Sequence, residues 1–119
     1  MTTTKGEKTA AAEAVTWVRE QLGFSCVDIA AAVNADARTV RRWKDERVAP
    51  RGSHRDKIEQ LGEMKHLLLA VFGTGAAAAV WMKTPLPALR GRTPGAAFRE
   101  SKVTTLIDIL ATVESGAVT

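Results

Sequence analysis

Residues 27–43 read VDIAAAVNADARTVRRW, from Val27 to Trp43. Ser25 stands just ahead of this stretch and Asp28 three residues further on, so each side chain can satisfy an amide at the start of a helix. That spacing predicts a short helix over 26–33, with Ile29 and Ala30 on its buried face. Alanine at position 30 lets a second helix cross closely, where a larger side chain would hold the two apart. Asn34 falls at the turn, and asparagine tolerates the left-handed backbone needed there. Asp36 caps the second helix, predicted over 37–47. Ala37, Val40 and Trp43 recur at steps of three, so Trp43 reads as a core anchor rather than a base-stacking residue. Arg38, Thr39, Arg41 and Arg42 are left outward near the helix start, with Lys44 beside them. Cap, small residue, turn and arginine cluster are in register for a helix-turn-helix, whose second helix enters a DNA major groove. Arginine can donate two hydrogen bonds to guanine O6 and N7, and Thr39 can reach a phosphate. Arg38, Thr39, Arg41, Arg42 and Lys44 are therefore the predicted DNA-contacting residues, and operator DNA a predicted partner. The plainer reading of the same residues is a structural helix pair with a solvated basic face.

Charge outside this stretch points the same way. From Arg38 to Lys57 the bases are Arg38, Arg41, Arg42, Lys44, Arg47, Arg51, Arg55 and Lys57, against the acids Asp45, Glu46 and Asp56. Arg47, Arg51 and Arg55 stand where flanking phosphates would be neutralised. From Val103 to Thr119 there is no basic residue, and Asp108 and Glu114 are acidic. A basic segment ahead of an acidic tail implies an anionic partner for the first; the tail suits a basic one. The overall charge of +4 is too small to decide anything alone.

The rest of the chain reads as helices. Hydrophobic residues make up 45% of 119, enough for a core, while Tyr is absent and alanine abundant, which favours helix over strand. An all-α fold is predicted in two parts: a helix-turn-helix domain over 10–52 and a helical domain over 53–119. A first helix spans 10–22, after a polar, frayed start, with Ala11, Val15, Val18 and Leu22 on one stripe. A long helix spans 53–72, with Ile58, Leu61, Lys65, Leu68 and Phe72 on one stripe and Leu67 and Leu69 widening it. So broad an apolar face needs contacts on two sides, which makes this helix the joint between the halves or a homodimer surface. A short buried helix follows over 76–83. Pro85, Pro87 and Gly91 mark a loop with fixed turns. Thr93 caps a helix that opens on Pro94. Ser101 is expected to cap the last helix, over 102–114, with Val103, Leu106, Ile107, Leu110 and Val113 inward.

The segment from Trp81 to Phe98, WMKTPLPALRGRTPGAAF, resembles an element of the Xre/MbcA/ParS-type antitoxins that reads roughly W-L-x-T-P-N-P-A-L-x-G-x-T-P-x-x-A-L. A helix and a tail of the form Glu-x-Gly-x-x follow in that family, here from Glu114 to Val118. The resemblance extends from about Ala10 to Thr119, with the helix-turn-helix in its expected place. Leu86 stands where Asn is usual, Phe98 where Leu is usual, and Gly95 weakens a short helix. The resemblance implies an antitoxin of a type II toxin–antitoxin pair that binds a RES-type, NAD-consuming toxin, self-associates, and represses its own promoter. It implies further that the C-terminal domain holds the toxin and that the extreme C-terminus plugs its active site. Leu86, Leu89, Arg90, Glu114, Gly116, Ala117, Val118 and Thr119 are the toxin-contacting residues expected on that basis. A transcription regulator whose C-terminal half senses a ligand or only dimerises is the alternative.

Catalytic candidates are poor, and no enzyme is predicted. His54 and His66 are the only histidines, with His54 read as a surface residue and His66 as half-buried; metal binding by the pair is not expected. Cys26, the one cysteine, permits no internal disulfide and has no histidine near it in sequence, so it reads as a structural thiol in a reducing cytoplasm. No phosphate-cradling glycine loop, cofactor, export signal or membrane span is predicted.

Overall fold

The computed structural model describes residues 3–116. Among these residues the elements are helices: α1 (Thr3–Leu22), α2 (Cys26–Val33), α3 (Ala37–Asp45), α4 (Ser53–Phe72), α5 (Gly75–Met82), α6 (Pro94–Arg99) and α7 (Val103–Glu114), with one 3-10 turn at Pro87–Leu89. The all-α architecture agrees with the sequence reading. No single described helix is long and apolar enough to cross a membrane.

Local signals account for most boundaries. Ser25 and Asp28 form a reciprocal capping box at the start of α2. Asn34 ends α2 in the left-handed conformation (φ 56°, ψ 46°). The Asp36 side chain accepts from the Thr39 amide at 2.7 Å and starts α3. Thr74 and Thr93 cap α5 and α6 in the same way. Between α4 and α5 the axis turns through 104°. Gly73 makes that turn with φ 82°, which a side chain would strain.

α4 is the central element. It packs against α1, α2, α5 and α7, so its broad apolar face is used within the chain. Ile58, Leu61, Met64, Leu67 and Leu68 are its buried residues. One apolar cluster runs without a break from Ala11, Val15 and Val18 of α1, through Ile29 and Val33 of α2 and Val40 and Trp43 of α3, to Phe98 of α6 and Leu106 and Leu110 of α7. The helix pair α2–α3 therefore shares its core with the C-terminal helices.

Several boundary and burial expectations are corrected. α1 begins at Thr3 rather than near residue 10. Once the alanine-rich middle is helical, each added residue costs little, and no proline blocks the polar start. Met64, not Lys65, completes the buried stripe of α4; the half-buried Lys65 has its ammonium 5.9 Å from the centre of the Trp17 ring. α5 buries only Ala78 and Met82, and leaves Val80 67% exposed. Trp81 is half-buried, tilted against Phe72 with ring centres 5.6 Å apart. Val113 is exposed, as is every described residue from 111 onward, because the last turn of α7 overhangs the core. The two histidines exchange places: His66 is exposed, while His54 is half-buried edge-on to Trp43. Ser101 does not cap α7. Its backbone is left-handed (φ 62°), and Lys102 takes the capping position.

Candidate functional site

Two surfaces carry the residues singled out by sequence, and a polar joint lies between them. The first is the outer face of α3. Val40 and Trp43 are buried, so Arg38, Arg41 and Arg42 are turned to solvent and Thr39 is half-buried. Arg42 approaches Glu46 at 3.8 Å, one helical turn on. Lys44 is half-buried and bonded to Asp45. The Thr39 amide, then its hydroxyl, hold the Asp36 carboxyl below its ordinary pKa. The cap therefore stays ionised, with Arg38 beside it. Arg38, Arg41 and Arg42 thus form an exposed row on a helix held by its cap and its tryptophan.

The second surface is the proline loop with α6 and α7. The Leu86 amide donates to the Arg92 carbonyl at 3.0 Å, and the Gly91 amide donates to Leu86 at 2.9 Å. These bonds close residues 86–92 into a ring around the 3-10 turn. Arg90 closes the turn with φ 57° and is exposed. Leu86 and Leu89 are half-buried rather than fully exposed anchors, and Leu89 packs against the core. The Arg92 guanidinium grips both oxygens of Glu100, one of them at 2.8 Å. That bidentate bond holds the loop to the end of α6. The same pair sets both pKa directions: Glu100 raises Arg92, and Arg92 lowers Glu100, each chiefly through the hydrogen bond.

Leu89 and Arg90 line one cleft with Ala88, Arg92, Glu100 and Lys102. Glu114 and Gly116 are exposed at the far end of α7. Thr105 lines the cleft, and Glu114 lies about 13 Å further along the helix. The predicted toxin-contacting residues are therefore split between the two ends of α7. Ala117, Val118 and Thr119 lie outside the described residues.

The joint ties the two surfaces together. Arg99 of α6 donates to Asp28 of α2 at 3.1 Å and lies 4.8 Å from the centre of the Phe24 ring. Phe24 in turn stacks on Phe98 with centres 4.5 Å apart. Burial pushes the Asp28 carboxyl up, but the Ser25 amide, the Arg99 guanidinium and the Ser25 hydroxyl together bring it below its ordinary pKa. The Ser101 hydroxyl donates to the Ala31 carbonyl and lies 3.0 Å from the Asn34 side chain. His54 Nε2 lies 3.3 Å from the Asn34 carbonyl oxygen. The turn at Asn34 is thus held from α4 and from the α6–α7 link. Sequence reasoning missed Arg92, Arg99 and Glu100 and assigned Ser101 a different role, because their partners are eight to about seventy residues away and nothing local marks those contacts. A glycine was the one available hint. A Cβ at Gly95 would stand 3.0 Å from the Met82 carbonyl and 3.5 Å from the Phe24 ring, so α6 needs glycine there to approach its neighbours.

Among the described residues no group of three or more His, Cys, Asp or Glu could hold a metal ion. Comparisons with known proteins bear on the second surface. Residues 67–116 match the family model of the antitoxin Xre/MbcA/ParS C-terminal toxin-binding domain. That span runs from the last turns of α4 through the proline loop to the end of α7. Among solved structures, a chain of the crystal structure of the M. tuberculosis MbcT–MbcA toxin–antitoxin complex is similar, with TM-score 0.63 and 24% identity. The match covers 91% of this chain and 96% of that one, and at this identity it speaks for the fold. No curated protein matches in sequence.

Proposed function

We propose that this chain is an antitoxin of the Xre/MbcA/ParS type, that it binds and silences a RES-type, NAD-consuming toxin, and that it represses its own promoter. The observation that carries the toxin reading is the family match over 67–116, which takes in the end of α4, α5, the proline loop, α6 and α7. The loop is closed on itself by backbone bonds and clamped by Arg92–Glu100, so Leu86, Leu89 and Arg90 meet a partner with little ordering left to do. The acidic end of α7 and the tail after Glu114 enter the toxin's active site. The residues after Glu114 carry small uncharged side chains, which suit a narrow cleft. The likeness to a chain from a toxin–antitoxin complex supports a toxin partner.

The test is co-expression with the product of the adjacent reading frame, followed by purification through a tag on one partner. We expect a stoichiometric complex at moderate salt. An adjacent product of RES type that never co-purifies would overturn the reading.

Promoter binding is supported by the exposed row Arg38, Arg41 and Arg42 on a capped helix. A two-fold dimer would mirror an inverted repeat in that promoter. A homodimer is expected from the apolar faces of α4 and the 76–82 helix; α4 uses its face within the chain, and the exposed Val80 with half-buried Ala79 and Trp81 supports the reading on α5. Light scattering of the free protein at micromolar concentration is expected to give twice the chain mass. A single-chain mass, 12.8 kDa, would contradict it.

A further inference from the structure

Basic side chains from two helices converge beside the start of a third. Arg19, in the last turn of α1, lines one cleft with Arg41 and Lys44 of α3, together with Ser25, Cys26 and Val27 at the start of α2. They meet because α3 packs on both α1 and α2, which brings the end of α1 to the outer flank of α3. Asp45 is the one acid lining the cleft, and it is bonded to Lys44. Asp28, in the first turn of α2, is tied to Arg99 and to the Ser25 amide. Arg19 and Arg41 are both exposed, and neither forms an ion pair with another described residue. Arg38 and Arg42 do not line this cleft.

We infer that the cleft binds a backbone phosphate of duplex DNA, with Arg19 and Arg41 as its ligands, which leaves base reading on α3 to Arg38 and Arg42. The inference rests on the reading of α2–α3 as a DNA-binding unit. Two guanidinium groups on one cleft repel each other until an anion lies between them, and a phosphate has the acceptors to satisfy both. Val27, 62% exposed, is an uncharged rim residue, so a phosphate would meet no carboxylate there. Arg19 had no claim from sequence, because it precedes the helix pair and belongs to another helix. Arg41 belonged with the outward row by helical spacing alone; the cleft separates it from the other two. A phosphate contact positions a protein on any duplex, whereas a base contact discriminates between duplexes.

The test follows from that difference. The full chain is titrated, by fluorescence anisotropy, with its promoter duplex and with a random duplex of equal length, between 50 and 200 mM salt. Arg19→Ala and Arg41→Ala should each weaken binding to both duplexes by the same factor. Because the two arginines share one phosphate, replacing both should reduce the magnitude of the slope of log affinity against log salt by about 0.9, and each single change by part of that. Over that salt range the slope change amounts to roughly threefold in affinity. Arg38→Ala should instead lose more affinity for the promoter than for the random duplex. Val27→Glu puts a carboxylate at the rim, where an acid in a first helical turn does not destabilise the helix, and should weaken both duplexes. Circular dichroism checks that the exposed substitutions keep the helical content. Wild-type affinity and slope for Arg19→Ala would overturn the inference, as would an Arg41→Ala that loses promoter binding alone. A wild-type chain that binds neither duplex would overturn the DNA-binding reading itself, an outcome distinct from either.

Discussion

Asp28 serves two elements at once. Its carboxylate accepts from the Ser25 amide at 3.0 Å to close the capping box of α2, and from Arg99 to fasten α6. The cap was legible in the sequence, because its partners lie three residues apart. The tie to Arg99 was not, since it depends on α6 folding back across α2. Replacing Arg99 with alanine should cost under about 1 kcal/mol, because an ion pair this open to solvent is weak. The sign of its pH dependence follows from the direction of the shift. The folded carboxyl lies below its ordinary pKa, so the stability it contributes is present above about pH 4 and is lost as pH falls through the folded value. Melting temperatures of wild type and Arg99→Ala should therefore differ at neutral pH and converge below about pH 4. Convergence between pH 6 and 8 instead would assign the effect to another group. Phe98 is a stronger case, being fully buried and stacked on Phe24. Its truncation to alanine should cost about 3–5 kcal/mol, measured by denaturant unfolding. A loss under about 1 kcal/mol would mean that the Phe24–Phe98 contact is not a core contact. The departure from the usual leucine at this position is thus explained by an aromatic partner that no reading of the segment 81–98 could supply.

At the level of elements, legibility followed the reach of the signal. Helices α2, α3 and α6 were readable because cap, turn residue and proline act within a few positions. Ser101 was misread because a serine ahead of an apolar helix looks like a cap; here its hydroxyl is spent on Ala31. The loop 85–93 was readable as a loop, but its closure by Leu86 and Arg92 and its clamp on Glu100 were not. The end of α7 is the element on which the inhibition reading turns. Its last turn stands clear of the core, and residues 111–116, the acidic Glu114 among them, are exposed. Deleting residues 116–119 should leave helical content and promoter binding unchanged while weakening protection from the toxin. Growth rescue at equal protein abundance is the measurement. Full protection by the truncated chain would move inhibition to the loop 85–93.

Over the whole molecule, the apolar cluster runs from α1 to α7, and the joint of Asp28–Arg99 and Ser101–Asn34 sits where the helix pair meets the C-terminal helices. The distribution of charge was readable from the sequence: bases gather from Arg38 to Lys57, and only acids follow Val103. The shared core was not, because a change in sequence character at residue 52 says nothing about which helices later touch. On the proposed function the basic surface meets DNA and the C-terminal surface meets a toxin that consumes NAD. NAD concentration in cells is the readout closest to that assignment. Cells are induced to express the adjacent toxin alone, with this chain, or with this chain carrying Arg90→Glu and lacking residues 116–119, changes confined to exposed positions and the tail. The account predicts a collapse of NAD with toxin alone and with the shortened chain, and a level close to that of uninduced cells with the full chain. An NAD level that falls equally whether or not the full chain is present, at matched protein abundance, would contradict it.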